Sequence, residues 1–394
     1  MKHVNIPIFI PHLGCPFTCI FCNQRQIAAQ QSFPPAAVAA MVDKHLATIR
    51  PGSEVEIAFF GGSFTMMDMK LQEAYLRQVY PYLKSGQVHG LRLSTRPDGI
   101  SPANLEMLRH WGVDTVELGV QSCDDEVLNR AGREMKRADI VAACHLIKEY
   151  AFKLGIQLMV GLPGDDRGKA LDTAQTTIEL QADMVRIYPT LVITGTELAR
   201  LWQNGLYQPL SLSAAVSICA DMLLLFQYNN IPVIRIGLQP NQDLNCPETM
   251  LAGPYHPSFG ELVEQHIFCL QARELLNNVQ ITTSLPEPVR LLVNPRDMSR
   301  MIGQHRLNVL HLEKEYNLQR LQVIAAADIN QNNLGLLPPG GGEAYTLERK
   351  AFIGRLMNRG LIPPYRAAQS ARNNQTSSQG LKEETALDNG RNYA

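Results

Sequence analysis

Short apolar runs alternate with helix-like stretches through the first 240 residues, and this pattern limits the fold more than any other feature of the chain. The runs are Val4–Ile10, Val55–Phe60, Leu91–Ser94, Thr115–Val120, Ile156–Gly161, Met184–Tyr188 and Val233–Gly237. Segments such as Pro35–Ile49, Asp125–Ala131, Ala138–Tyr150 and Leu171–Leu180 stand between them. Parallel strands need a long crossover, usually a helix, so this order reads as βαβ units in an α/β fold. Six or more such units predict a partial or full parallel (β/α) barrel, a full one taking roughly 250 residues. Such a barrel places its chemistry at the C-terminal strand ends, where the polar motifs of this chain fall.

The alternation stops near Asn241, and Pro and Gly become frequent. The expected organisation is a barrel over 1–240, a flanking connection over 241–288 and a small α+β unit over 289–330. A Gly/Pro linker with a helical segment near Leu347–Met357 follows over 331–366. The polar stretch 367–394 lacks the apolar residues to bury a core and reads as disordered. The net charge of −1 offers no global basic field, so a nucleic-acid partner would need a local patch. No apolar run approaches a membrane span. The first run is interrupted by Pro7, is followed by Pro11 and lacks a charged leader, so the expected location is cytoplasmic.

Eight cysteines are too few for a disulfide scaffold at this length, yet three of them crowd into Cys15–Cys22. Clustered thiols of this kind read as metal binding in a reducing compartment. Cys15, Cys19 and Cys22 have the spacing C-x3-C-x2-C. Iron–sulfur clusters are usually held by four thiolates, so a loop with three leaves one iron of a four-iron cluster open. A zinc site completed by a distant ligand such as His12 is the rival reading, although no second cysteine knuckle is present. Cys123, Cys144, Cys219, Cys246 and Cys269 are scattered singly and read as small buried hydrophobes.

With Phe21 as the aromatic before the last cysteine, C-x3-C-x-aromatic-C after a first strand resembles the radical S-adenosylmethionine (SAM) superfamily. The resemblance implies a [4Fe-4S] cluster whose open iron is chelated by SAM, and reductive cleavage of SAM to a 5′-deoxyadenosyl radical. It also implies a one-electron donor such as a flavodoxin or ferredoxin. Gly61-Gly62-Ser63 at the second strand end is similar to the superfamily's glycine-rich motif for the methionine amino group, with Ser63 a variant. Gln121, Arg133 and Gln157 match by position the ribose and carboxylate contacts of one branch, which holds oxygen-independent coproporphyrinogen oxidases and the Elongator catalytic subunit. Ser94 stands where the porphyrin enzymes carry Glu. For each of these polar residues, strand-end solvation or helix capping is the plainer account; it is their order along the chain that resembles the family.

The runs Ser94-Thr95-Arg96-Pro97-Asp98 and Glu117–Ser122 and the sixth-strand run Arg186–Ile193 together resemble Elongator-type enzymes over roughly residues 5–240. Those enzymes act on the wobble uridine of tRNA, which implies a tRNA partner. No Gly-rich pyrophosphate loop of the acetyltransferase kind follows the barrel, so acetyl transfer is not expected from this chain unless a separate protein supplies it. Met301-Ile302-Gly303-Gln304-His305-Arg306 instead looks like a KH turn with its second glycine replaced. Arg296, Arg300, His305 and Arg306 would then contact RNA phosphate; two amphipathic helices capped at Gly303 are the alternative. Two other functions remain open at this point: a coproporphyrinogen oxidase-like or heme-handling enzyme, and a non-catalytic RNA-binding iron–sulfur protein.

Overall fold

The computed structural model describes residues 3–15, 19–23, 34–239, 248–282, 288–338 and 341–364. The polar tail and Cys246 lie outside these residues. Seven parallel strands form one curled sheet in the order β1-β2-β3-β4-β5-β6-β8. They are β1 (His3–Phe9), β2 (Glu54–Phe60), β3 (Gly90–Thr95), β4 (Thr115–Gln121), β5 (Lys153–Val160), β6 (Met184–Pro189) and β8 (Val233–Ile236). The sheet is a partial barrel with β1 and β8 at its two edges.

The helices between the strands are α1 (Pro35–Leu46), α2 (Met69–Lys84), α3 (Pro102–His110), α4 (Asp125–Arg130), α5 (Arg137–Glu149), α6 (Arg167–Glu179), α7 (Glu197–Gln203) and α8 (Leu212–Tyr228). Ser101, Asp124, Asp166, Thr196 and Ser211 precede five of them, and each side chain accepts the N–H three residues on. Such caps satisfy donors that the helix itself leaves free, at about 1 kcal/mol each.

Alternation along each strand divides the sheet into two unlike faces. Val55, Ile57 and Phe59 of β2 point outward to the helices, where Phe59 meets Phe64 and Tyr75. The inner face carries charge. Arg92 donates to Glu56 at 2.6 Å and to Glu117 at 2.8 Å. Arg186 grips the other side of Glu117 through Nε at 2.7 Å and Nη2 at 3.2 Å, and its guanidinium lies 5.3 Å from the centre of the Phe60 ring. Burial opposes the Arg186 cation, and the Glu117 carboxylate outweighs that and holds its pKa above the ordinary value. A buried ladder of alternating charge thus ties β2, β3, β4 and β6 together across the lumen.

A two-stranded antiparallel pair, β7 (Val192–Ile193) with β9 (Met250–Ala252), follows the sixth strand. The stretch expected as a connection then holds α9 (Phe259–Thr282), a 24-residue helix packed against α8. Phe259, Val263, Ile267, Ala272, Leu276 and Val279 recur along it at helical spacing and are buried. Beyond it, β10 (Val289–Val293), α10 (Met298–Ile302), α11 (Leu307–Glu315) and β11 (Leu321–Ala325) form a small α+β unit. Its sheet runs β11-β10-β12-β13, with β12 (Leu334–Leu336) and β13 (Tyr345–Leu347) supplied by the segment expected as a linker. The helix after it is α12 (Arg349–Asn358).

Candidate active site

The cysteine loop leaves β1 and is laid directly on the glycine turn after β2. His12 donates its N–H to Gly61 O at 2.9 Å, and Ser63 donates to Leu13 O at 2.8 Å. Gly61 has φ +90°, a backbone angle that glycine adopts without strain. A Cβ on Gly62 would lie 2.4 Å from Leu13 O and 2.6 Å from Ile10 O, so only glycine permits this approach. The family resemblance implies a cofactor role for Gly61 and Gly62; what the structure shows is that they seat the loop bearing the cysteines.

Cys15 Sγ and Ser63 Oγ are 3.5 Å apart. Cys19 is buried, and two guanidinium groups converge on its sulfur: Arg133 Nη1 donates at 3.4 Å and Arg96 Nη1 at 3.6 Å. Cys22 donates its N–H to Cys19 O at 3.0 Å, closing a turn, and its side chain is half-buried. Phe21 between them packs toward Val127, Ala131 and Leu162 on one side and Val192 and Leu198 on the other. Ile20 donates to Ala131 O and accepts from Leu198 N–H, so this limb of the loop is pinned to two separate crossovers.

Arg96 is itself held by Asp98 through Nε at 2.9 Å and Nη2 at 2.8 Å. Burial lowers its pKa, but Asp98 and the nearby cysteines more than compensate and raise it. Arg133 is 4% exposed and donates to Gly119 O at 2.5 Å. Burial pulls its pKa below the ordinary value despite the Cys19 sulfur beside it. Its Nε is buried with no partner. A buried, unsatisfied donor is costly, and a ligand oxygen reaching this point would satisfy it.

Gln121 ends β4 at φ +72°, after a bulge, and Gln157 Nε2 donates to its Oε1 at 3.2 Å. The structure therefore brings Gln121 and Gln157 together and sets Arg133 against Cys19. Ser94 stands in register with Glu117. The motif Ser94–Asp98 shows no role for Arg96 or Asp98 in one dimension, because the contact of Arg96 with Cys19, braced by Asp98, depends on how the loop folds back. Among the described residues no three His, Cys, Asp or Glu side chains stand closed around an ion. The donor set nonetheless fits a cluster better than an isolated ion: three soft thiols on one loop, two cations against the middle one, and an orphaned donor beside it.

The four residues expected to contact RNA do not share one environment. Arg296, His305 and Arg306 are exposed. Arg300 is half-buried and binds Glu261 through two bonds of 3.1 and 3.0 Å, with Asp297 at 3.6 Å. Its charge is therefore already matched within the protein. Gly303 does cap α10 at φ +78°, and His305 and Arg306 follow with positive φ.

A curled parallel sheet with three cysteines on the loop after its first strand and a double glycine after its second defines a class, and the comparisons agree. The profile of the radical SAM superfamily matches residues 9–177, and that of the Radical_SAM C-terminal domain matches residues 182–268. The chain belongs to the radical SAM superfamily and is a radical SAM enzyme. Within it, the chain is Elongator-like. It is 28% identical over 268 residues to a tRNA uridine(34) acetyltransferase of Dehalococcoides mccartyi, covering 59% of this chain and 57% of that protein. Elongator complex protein 3 of Mus musculus is 29% identical over 196 residues, covering 44% of this chain and 35% of its own length. The structure of Methanocaldococcus infernus Elp3 with an N-terminal deletion matches with a TM-score of 0.54 and 22% identity, over 68% of this chain and 62% of that one. The chain thus spans about half the length of the curated relatives it matches. No helix among the described residues is long and apolar enough to cross a membrane.

Proposed function

We propose that this enzyme carries a [4Fe-4S] cluster on Cys15, Cys19 and Cys22, binds SAM beside it, and modifies a uridine of tRNA. The observation that carries the cofactor reading is the Cys19 sulfur held between Arg96 and Arg133, on a loop that Gly62 alone can seat. When bound, SAM and a reduced four-iron cluster supply a 5′-deoxyadenosyl radical.

The chain's own residues do the rest. Arg96 and Arg133 donate to the Cys19 sulfur and would hold that cluster ligand in place from two sides. Arg133, with its free Nε, and the Gln121–Gln157 pair present donors and acceptors to the carboxylate and ribose of SAM. Phe21 and its apolar neighbours close the loop against water.

The tRNA reading rests on the relatives, whose names specify uridine 34 of tRNA. Exposed Arg296, His305 and Arg306 would add phosphate contacts that position RNA without reading sequence. A flavodoxin or ferredoxin would supply the electron, and the enzyme would work in the cytoplasm. Because the match covers only part of each relative, acetyl transfer is not assigned to this chain. Mass spectrometry of tRNA nucleosides from a strain lacking the protein tests the proposal. A uridine-derived nucleoside should vanish and return when the wild-type gene is restored. An unchanged nucleoside profile, together with tetrapyrrole binding by the purified protein, would overturn the tRNA reading.

A further inference from the structure

Among the described residues, the charges facing the lumen do not balance. Glu56 and Glu117 meet Arg92 and Arg186 in the buried ladder, which leaves no surplus. Arg235 adds a fifth charge. It pairs in register with Arg186 across the parallel strands β6 and β8, so the two side chains share the inner face roughly 4.8 Å apart at their backbones. Ile236 on the same strand pairs with Ile187 and packs into the core outside the sheet, which fixes the face on which Arg235 lies.

The two arginines are held very differently. Arg186 is clamped by both oxygens of Glu117 and backed by the Phe60 ring. Arg235 is partly buried, yet among the described residues no carboxylate lies within ion-pairing distance of it. His3, 3.0 Å from Glu56, brings no negative charge in either protonation state. Among the described residues, three guanidinium groups therefore share two carboxylates along this wall. A partly desolvated cation beside a like charge is unfavourable unless an anion joins it.

We propose that Arg235, with Arg186 beside it, is the phosphate-binding part of the substrate site. Guanidinium suits this task because its planar fork matches phosphate oxygens in pairs. The position suits it too: Arg235 is one residue from the end of the edge strand β8, where the partial barrel is open at the side. The ligand is a phosphate ester of the substrate whose base enters the lumen. This deepens the tRNA reading and rests on it for the source of the phosphate, which is the RNA strand.

The test uses the reconstituted full-length protein and two probes. One is an anticodon stem-loop RNA with an unmodified wobble uridine; the other is uridine monophosphate, compared with uridine. Wild type, Arg235→Ala and Arg235→Lys are titrated over a range of salt, with thermal melts to show that each is folded. Losing one phosphate contact should weaken stem-loop binding about fivefold to tenfold and reduce the salt slope by roughly 0.7 to 0.9. Lys should retain most of the affinity, and uridine should bind alike to all three proteins. Equal affinity and equal slope for Ala and wild type with both probes would overturn the inference. So would failure of the wild type to bind either probe. Should the wild type ignore RNA but bind uridine monophosphate in an Arg235-dependent way, the anion site stands and the tRNA reading falls.

Discussion

Replacing Glu117 with Gln keeps the shape of the side chain and removes the one charge shared by two arginines. The side chains of Arg92, Glu117 and Arg186 are only 6%, 5% and 12% exposed, so water does little to screen the loss. Arg92 would keep Glu56 at 2.6 Å, while Arg186 would face Phe60 and Arg235 with no carboxylate among the described residues. Breaking a buried pair from one side costs about 3 to 5 kcal/mol, and the surviving Arg92–Glu56 bond places this case near the lower end. That is a large part of the 5 to 15 kcal/mol or so that holds a typical domain together. Equilibrium urea unfolding followed by circular dichroism reads the change. The exposed Arg200–Glu197 pair supplies a control, since Glu197→Gln should alter stability by less than about 0.5 kcal/mol. If Glu117→Gln cost no more than this control, the lumen ladder would not be the stabilising element described above.

Gly62→Ala should part the glycine turn from the cysteine loop, because the obstructing atoms are backbone oxygens that cannot swing aside; iron retained after reconstitution should fall by more than half. Gly354→Ala, in α12 with nothing within 4 Å of the new Cβ, should leave iron content unchanged. Asp165 is pushed up to about 6 by burial, from an ordinary value of 3.8. The folded state then holds a proton that the unfolded state has released between these values, so stability falls as pH rises from about 4 to 6 and levels off above. Asp165→Asn should flatten that slope in urea titrations across the window, and an unaltered slope would contradict the assignment. Charge reversal of Arg296 and Arg306 should weaken tRNA binding across all sequences and flatten its salt dependence, whereas reversal of Arg300, already matched by Glu261, should act mainly on stability.

How much of this was legible in the sequence depended on how local each feature is. Runs such as Glu54–Phe60 show their β character because Val, Ile and Phe pack against helices on the outer face. The same runs hid the lumen ladder, since Arg92, Glu117 and Arg186 look like interruptions until the sheet brings them to one face, each arginine offset from Glu117 by two residues in register. The cysteine spacing is visible in one dimension. The grip of Arg96 and Arg133 on Cys19 is not, because those residues are 77 and 114 positions away. The long helix α9 went unread although Phe259, Val263, Ile267 and Ala272 recur along it; the Pro- and Gly-rich stretch before it masked the onset. Strands of three residues, such as Leu334–Leu336 and Tyr345–Leu347, are too short to show any period and are defined only by their partners.

The central claim is that Cys15, Cys19 and Cys22 hold a cluster at which SAM is cleaved. It is tested most directly by anaerobic reconstitution with iron and sulfide, followed by incubation with SAM and dithionite and chromatography of the products. The wild type should bind four irons per chain and release 5′-deoxyadenosine and methionine, and Cys19→Ala should do neither. Arg133→Ala should keep most of the iron and lose affinity for SAM. Near-stoichiometric zinc in place of iron, or 5′-deoxyadenosine formed equally well by Cys19→Ala, would contradict the account.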